Sequence, residues 1–257
     1  MNSISTMTST YKISSTKVSQ CLMLALSVMM FATNMFSETV TVQAIDDIYA
    51  AGHSTVPNTL FPGTFPTSTS FTAGPNQILK FSSVTGTVGC NFVITNGPDG
   101  TCFPAFGTTV TSFGGISGIS VNGLNMFLVG VFLSAAEPSG AGPSVLAYNY
   151  GTPGGLNTTD PGFAPGLDQV FFVGDGLTGT GTGLEQIFHV PGNASRLSLG
   201  FADSFDSVPS FYADDVGSLS ATFAITSTPE PKIDFLITAG VLLGVAFCRR
   251  KFRTKMN

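Results

Sequence analysis

Tryptophan is absent, histidine occurs twice, and charged residues make up only 10% of the 257 residues. Without Trp there is no indole to stack on a sugar ring, which leaves Tyr212 to serve as the aromatic platform. With only His53 and His189, no Ser-His-Asp triad and no histidine-based metal site can be assembled. Basic side chains are scarce where they would matter. Between Asp46 and Asp215 stand twelve acids against only Lys80 and Arg196, a net charge of −10. Such a stretch cannot neutralise a run of phosphates, so nucleic-acid binding is excluded. Low charge does not make the chain disordered, because 43% hydrophobic residues and 23 Phe suffice for a core.

The remaining bases sit at the ends, where they read as addresses. Lys12 and Lys17 precede an apolar run from Cys21 to Ala32, and Val42-Gln43-Ala44 ends in a small residue. This is the pattern of a secretory signal, residues 1–44, forming a signal helix with cleavage after Ala44 and a mature start at Ile45. The alternative is an uncleaved anchor, for which the run is short. At the other end, Pro229, Glu230 and Pro231 precede an apolar stretch from Phe235 to Cys248. Arg249, Arg250, Lys251 and Arg253 follow it. The stretch predicts a short transmembrane helix over about 234–248. The basic cluster acts as a cytoplasmic stop, leaving the acidic body outside.

Pro-Glu-Pro, a short apolar span and an Arg-rich end, in that order over Thr228 to Arg253, resemble the PEP-CTERM sorting signal of bacterial exported proteins, here residues 227–257. Lys232 and Ile233 replace the small or hydroxylated residues common after the motif. The resemblance implies processing by an exosortase-type membrane enzyme. Before processing, the chain would hold to the membrane through the C-terminal helix; afterwards it would reach the cell surface or extracellular matrix.

The cargo between the signals divides into an extended lead-in, 45–74, and a β domain, 75–226. Its cysteines are Cys90 and Cys102, twelve positions apart. In an oxidising compartment they point to a disulfide across a loop, with a pair of buried thiols as the alternative. Helical periodicity is missing. Short apolar runs alternate with Gly, Pro, Asn and Asp instead. Leu219, Ala221, Phe223 and Ile225 share one strand face, Leu197, Leu199 and Phe201 another, and Phe188 and Val190 a third. Met126 to Leu133 is apolar throughout, as befits a strand buried on both sides. Further strands are expected over 78–81 and 169–173, and long loops over 134–167. The expected fold is all-β, an antiparallel β-sandwich or jelly roll. Gly174, Gly176 and Gly179 spell G-x-G-x-x-G, but no helix can follow through Gly181 and Gly183. They read as a turn between strands rather than a dinucleotide site.

Asp203, Asp206, Asp214 and Asp215 crowd one predicted loop. A hard cation such as Ca²⁺ takes six to eight oxygens, which carboxylates and free carbonyls of such a loop can supply; a solvated acidic turn is the alternative. The run from Arg196 to Asp203, then Phe211 to Leu219, resembles the C-terminal signature of PA-IL-like galactose-binding lectins. Asn96 to Gly100, Gly115 to Gly118 and Phe127 to Gly130 resemble other parts of that fold. The resemblance implies a galactose-binding-like sandwich in which Asp203, Asp214 and Asp215 would be carboxylate ligands of Ca²⁺ and Phe211 would offer its carbonyl. Asp215 stands where an Asn is common, and Val216 where a Ser is common. The expectation is a non-enzymatic, Ca²⁺-dependent module for extracellular polysaccharide. The competing class is a structural surface or matrix protein that binds no sugar.

Overall fold

The computed structural model describes residues 35–56, 60–93, 96–102, 107–148 and 155–227. The signal run at 21–32, the Pro229–Pro231 motif, the apolar stretch at 234–248 and the basic residues Arg249, Arg250, Lys251 and Arg253 lie outside them. Among the described residues no helix is long and apolar enough to cross a membrane.

Among the described residues sixteen strands follow one another: β1 (Met35–Gln43), β2 (Thr67–Ser70), β3 (Gln77–Gly89), β4 (Thr108–Val110), β5 (Ile119–Val121) and β6 (Val129–Leu133). After them come β7 (Leu146–Tyr148), β8 (Gly162–Phe163), β9 (Val170–Phe172), β10 (Leu177–Gly179) and β11 (Thr182–Glu185). The last are β12 (Ile187–His189), β13 (Arg196–Gly200), β14 (Ser204–Phe205), β15 (Val208–Pro209) and β16 (Val216–Ser227). Two 3-10 turns, Ile48–Ala50 and Tyr212–Asp214, are the only helical pieces described.

The protein is all-β and sandwich-like. One sheet runs β1-β16-β3-β12-β8 and a second β2-β13-β6-β9, with a small sheet β4-β5-β7 and two hairpins, β10-β11 and β14-β15. Pairing is antiparallel apart from β8 with β12 and β5 with β7. The two large sheets meet through phenylalanine. Phe188 of the first lies 5.2 Å, ring to ring, from Phe171 of the second. Phe188 also packs edge-on to Phe81, and Phe171 stacks on Phe132. The alternation legible in the sequence explains this packing. Leu219, Ala221, Phe223 and Ile225 of β16 are buried, and their odd-even partners are not. In β6 every residue is buried, because β9 and β13 flank it and both of its faces are covered.

Three boundaries differ from the sequence reading. Strand structure is present upstream of Ile45, back to Met35. β1 pairs with β16 over nine residues, from Met35 opposite Thr226 to Gln43 opposite Ser218. Val42 and Ala44 are buried, and the Ala44 amide donates to the Gly217 carbonyl. Cleavage after Ala44 would remove this strand. Second, the lead-in at 45–74 is not unstructured. Asp47 caps the turn that buries Ile48, Tyr49 and Ala50, and β2 extends the second sheet along β13. Third, the stretch 134–167 is not loop alone, since β7 and β8 fall within it.

Candidate metal centre

The acidic loop is built between β13 and β16. Leaving β13, the chain buries Phe201 and Ala202, then exposes Asp203 in part. It turns back through the hairpin β14-β15, whose tip residues Asp206 and Ser207 both have positive φ, as a two-residue hairpin turn requires. Phe211 then takes a left-handed conformation (φ 69°), and Tyr212–Asp214 forms a single 3-10 turn. Asp215 ends that turn, its amide donating to the Tyr212 carbonyl. Gly217 brings the chain hard against β3, where a Cβ would stand 2.2 Å from the Thr87 carbonyl oxygen.

This path brings together three of the four clustered aspartates. One carboxylate oxygen each from Asp203, Asp214 and Asp215 lies within 4.8 Å of the others. Asp206, exposed at the hairpin tip, is not among them. Asp215 is 4% exposed, and neither of its carboxylate oxygens has a hydrogen-bond partner. A buried carboxylate in that state costs free energy unless a proton or a cation satisfies it. Burial, then the charges of Asp203 and Asp214, push the Asp215 carboxyl up to about 9. Asp203 is pushed up to about 7, mainly by burial and then by the charge of Asp214, against the hydrogen bond it accepts from the Ser204 amide. These are the electrostatics of a site that takes up positive charge: remove the proton and three carboxylates crowd one point. The donor set is all oxygen, which suits Ca²⁺ rather than a soft metal.

The carbonyl expected from Phe211 is partly engaged, since the Asp214 amide lies 3.5 Å from it. Tyr212 is not a sugar platform. Its ring is fully buried, and its hydroxyl donates to the Phe201 carbonyl and accepts from the Asp203 amide, fixing the floor of the site. The exposed rings are phenylalanines that sequence reasoning passed over. Phe61 (51% exposed) and Phe205 (53%) flank Phe211 with ring centroids 5.2 and 5.4 Å away. The Phe211 amide and the Ser210 hydroxyl both donate to the Leu60 carbonyl, tying the neighbouring segment to the loop. Nothing in the sequence around Leu60 and Phe61 distinguishes them from an ordinary apolar pair; only the fold sets them beside the acidic loop.

Cys90 and Cys102 form a disulfide. The loop that it closes touches the acidic loop, where the Phe92 amide donates to the Asp214 carbonyl. The two histidines take no part. His53 pairs with Glu137 at 3.2 Å, and His189 is exposed on β12. Gly174 and Gly176 lie between β9 and β10 with positive φ, in the turn expected there. Compared with known proteins, the chain matches no family, no curated protein and no solved structure.

Proposed function

We propose that this protein is an exported β-sandwich module of the galactose-binding-like, jelly-roll type that binds Ca²⁺ through Asp203, Asp214 and Asp215. It uses the ion to recognise carbohydrate, and its substrate class is extracellular polysaccharide. It is not an enzyme. The observation that carries the metal is Asp215, buried with both carboxylate oxygens unpartnered beside two further carboxylates. The phenylalanine rim supports the sugar. A pyranose presents hydroxyls on its edges and C–H groups on its faces; Phe61, Phe205 and Phe211 pack together on the segment that carries the aspartates and offer an apolar surface for the latter. The resemblances at the two ends, a secretory signal and a PEP-CTERM signal processed by an exosortase-type enzyme, supply the route to the surface.

A second reading keeps the ion and drops the sugar. Asp215 is so deeply placed that Ca²⁺ there could serve only to hold β13 and β16 together, as in a structural matrix protein. Two measurements separate the readings. Calorimetric titration of the full chain with Ca²⁺ tests the metal, and no heat together with an unchanged melting temperature in chelator rules it out. A glycan array probed with and without chelator tests the sugar. Calcium-dependent spots support recognition; calcium binding without any spot supports the structural role.

A further inference from the structure

A second site lies on the other side of the disulfide loop. Asn96 to Thr101 and the turn after β9 enclose a cleft of about 420 Å³, large enough for a small ligand and sharing no lining residue with the aspartate triad. Asp99 and Asp175 form its polar end. The Asp175 amide donates to Asp99 Oδ1 at 2.9 Å. The Asp175 carboxylate, 8% exposed, accepts from the Leu177 and Gly181 amides at 2.8 and 2.6 Å. Asp175 is thereby locked in place, and Asp99 is held against it. Gly174 makes the approach possible, because a Cβ there would stand 2.3 Å from Asp99 Oδ1. Burial raises the Asp99 carboxyl; the hydrogen bond from the Asp175 amide opposes this, and the Asp175 charge adds to it.

The rest of the lining defines the ligand. Five threonines, among them Thr159 and Thr180 at the exposed rim, line the cleft, and Phe172 and Leu124 form an apolar wall. No Lys, Arg or His lines it, which disfavours phosphate, sulfate or carboxylate ligands. Carboxylates that accept, hydroxyls that donate or accept, and one apolar face together match a molecule bearing many hydroxyls on a carbon ring.

We propose that this cleft is a second, metal-independent binding site for a neutral mono- or disaccharide, oriented by Asp99 and Asp175 and seated on Phe172. It stands independently of the calcium reading. The site is proposed to bind rather than cleave, because both carboxylates are engaged by backbone amides, Asp99 by that of Asp175 and Asp175 by those of Leu177 and Gly181.

The test is saturation-transfer NMR and calorimetry on the full chain in chelator, with glucose, galactose, mannose, maltose and cellobiose at up to about 10 mM. At least one should bind, and Asp215→Asn, which removes one carboxylate of the triad, should leave that binding unchanged. Thr159→Trp, a rim substitution that fills the mouth without entering the core, should weaken it by roughly tenfold or more. Asp99→Asn should do the same with an unaltered melting temperature. Three results would overturn the proposal: no saccharide signal in chelator, equal binding by Thr159→Trp, or binding confined to a protonated amine such as putrescine. Loss of calcium binding alone would count only against the triad.

Discussion

Asp215 sets a carboxylate oxygen within 4.8 Å of one on Asp203, and the Asp215 carboxylate is buried without a hydrogen-bond partner. The pair makes stability depend on pH in a definite sense. Both carboxyls titrate higher in the folded chain, at about 7 and about 9, than the ordinary 3.8. The native state therefore holds protons that the unfolded chain releases. Without metal, their contribution is fully present below about pH 4 and is lost as pH rises through 7 and then 9, at up to roughly 1.4 kcal/mol per pH unit per group. The proposed Ca²⁺ would bind the ionised form, so its stabilisation should grow over the same range. Melting curves between about pH 5 and 9, with Ca²⁺ and with chelator, check both slopes. Curves in chelator that are flat or rise with pH would contradict the buried acidic pair.

Asp215→Asn replaces a buried charge with a neutral amide of the same shape. In chelator at about pH 8 the variant should melt a few degrees higher than the parent, corresponding to about 1 kcal/mol or more. Its melting temperature should no longer respond to Ca²⁺. Asp203→Ala should also lose the calcium response, but without the gain in chelator, because it empties space as well as removing charge.

The phenylalanine rim should separate the sugar from the ion. Phe61→Ala and Phe205→Ala remove exposed rings, so stability should change by no more than about 0.5 kcal/mol. Calcium affinity should stay level while glycan affinity drops, by about 1 kcal/mol or roughly fivefold for each ring. Calorimetry with Ca²⁺ alone, then with a glycan chosen from the array, reads the two effects separately. Equal loss of both would mean that the rings hold the loop rather than the ligand.

The pairing of β1 with β16 makes a prediction about processing. The exported chain should retain Met35, with its new N-terminus upstream of β1, and intact-mass measurement on secreted protein reads this directly. A chain engineered to begin at Ile45 loses the buried Val42 and the partly buried Phe36 and Val40, and it bares one edge of β16. The cost should be about 3 kcal/mol or more, with greater aggregation from the open edge. A secreted chain found to begin at Ile45 and to melt normally would refute this.

These cases show what the sequence made legible. β16, β13 and β6 could be read directly, because alternation or unbroken apolarity records which faces are covered. Cys90 and Cys102 were the one pair available to the body, and they join. The triad was legible because loop and acids are local. β1 was not, although Val40 and Val42 alternate with Thr39 and Thr41, because its position just after an apolar run made it read as the tail of a signal. β2, Thr67–Ser70, carries no apolar signal at all and exists only because β13 offers it a free edge. Asp99 and Asp175 are 76 positions apart, and no spacing rule connects residues that only tertiary packing brings together.

The pairing of β1 with β16 also fixes a direction. Met35 and Thr226 lie opposite each other at one end of the ladder, while Asp215 precedes the first residue of β16 at the other. β16 runs twelve residues, from Val216 beside the triad to Ser227, so the eleven steps between its ends span roughly 36 Å at 3.3 Å per residue. A body tethered through the residues that follow Ser227 would thus hang by one pole, with entry and exit of the chain side by side. If the proposed calcium site is used for binding, its ligand would be met at the end of the β1–β16 ladder opposite Thr226.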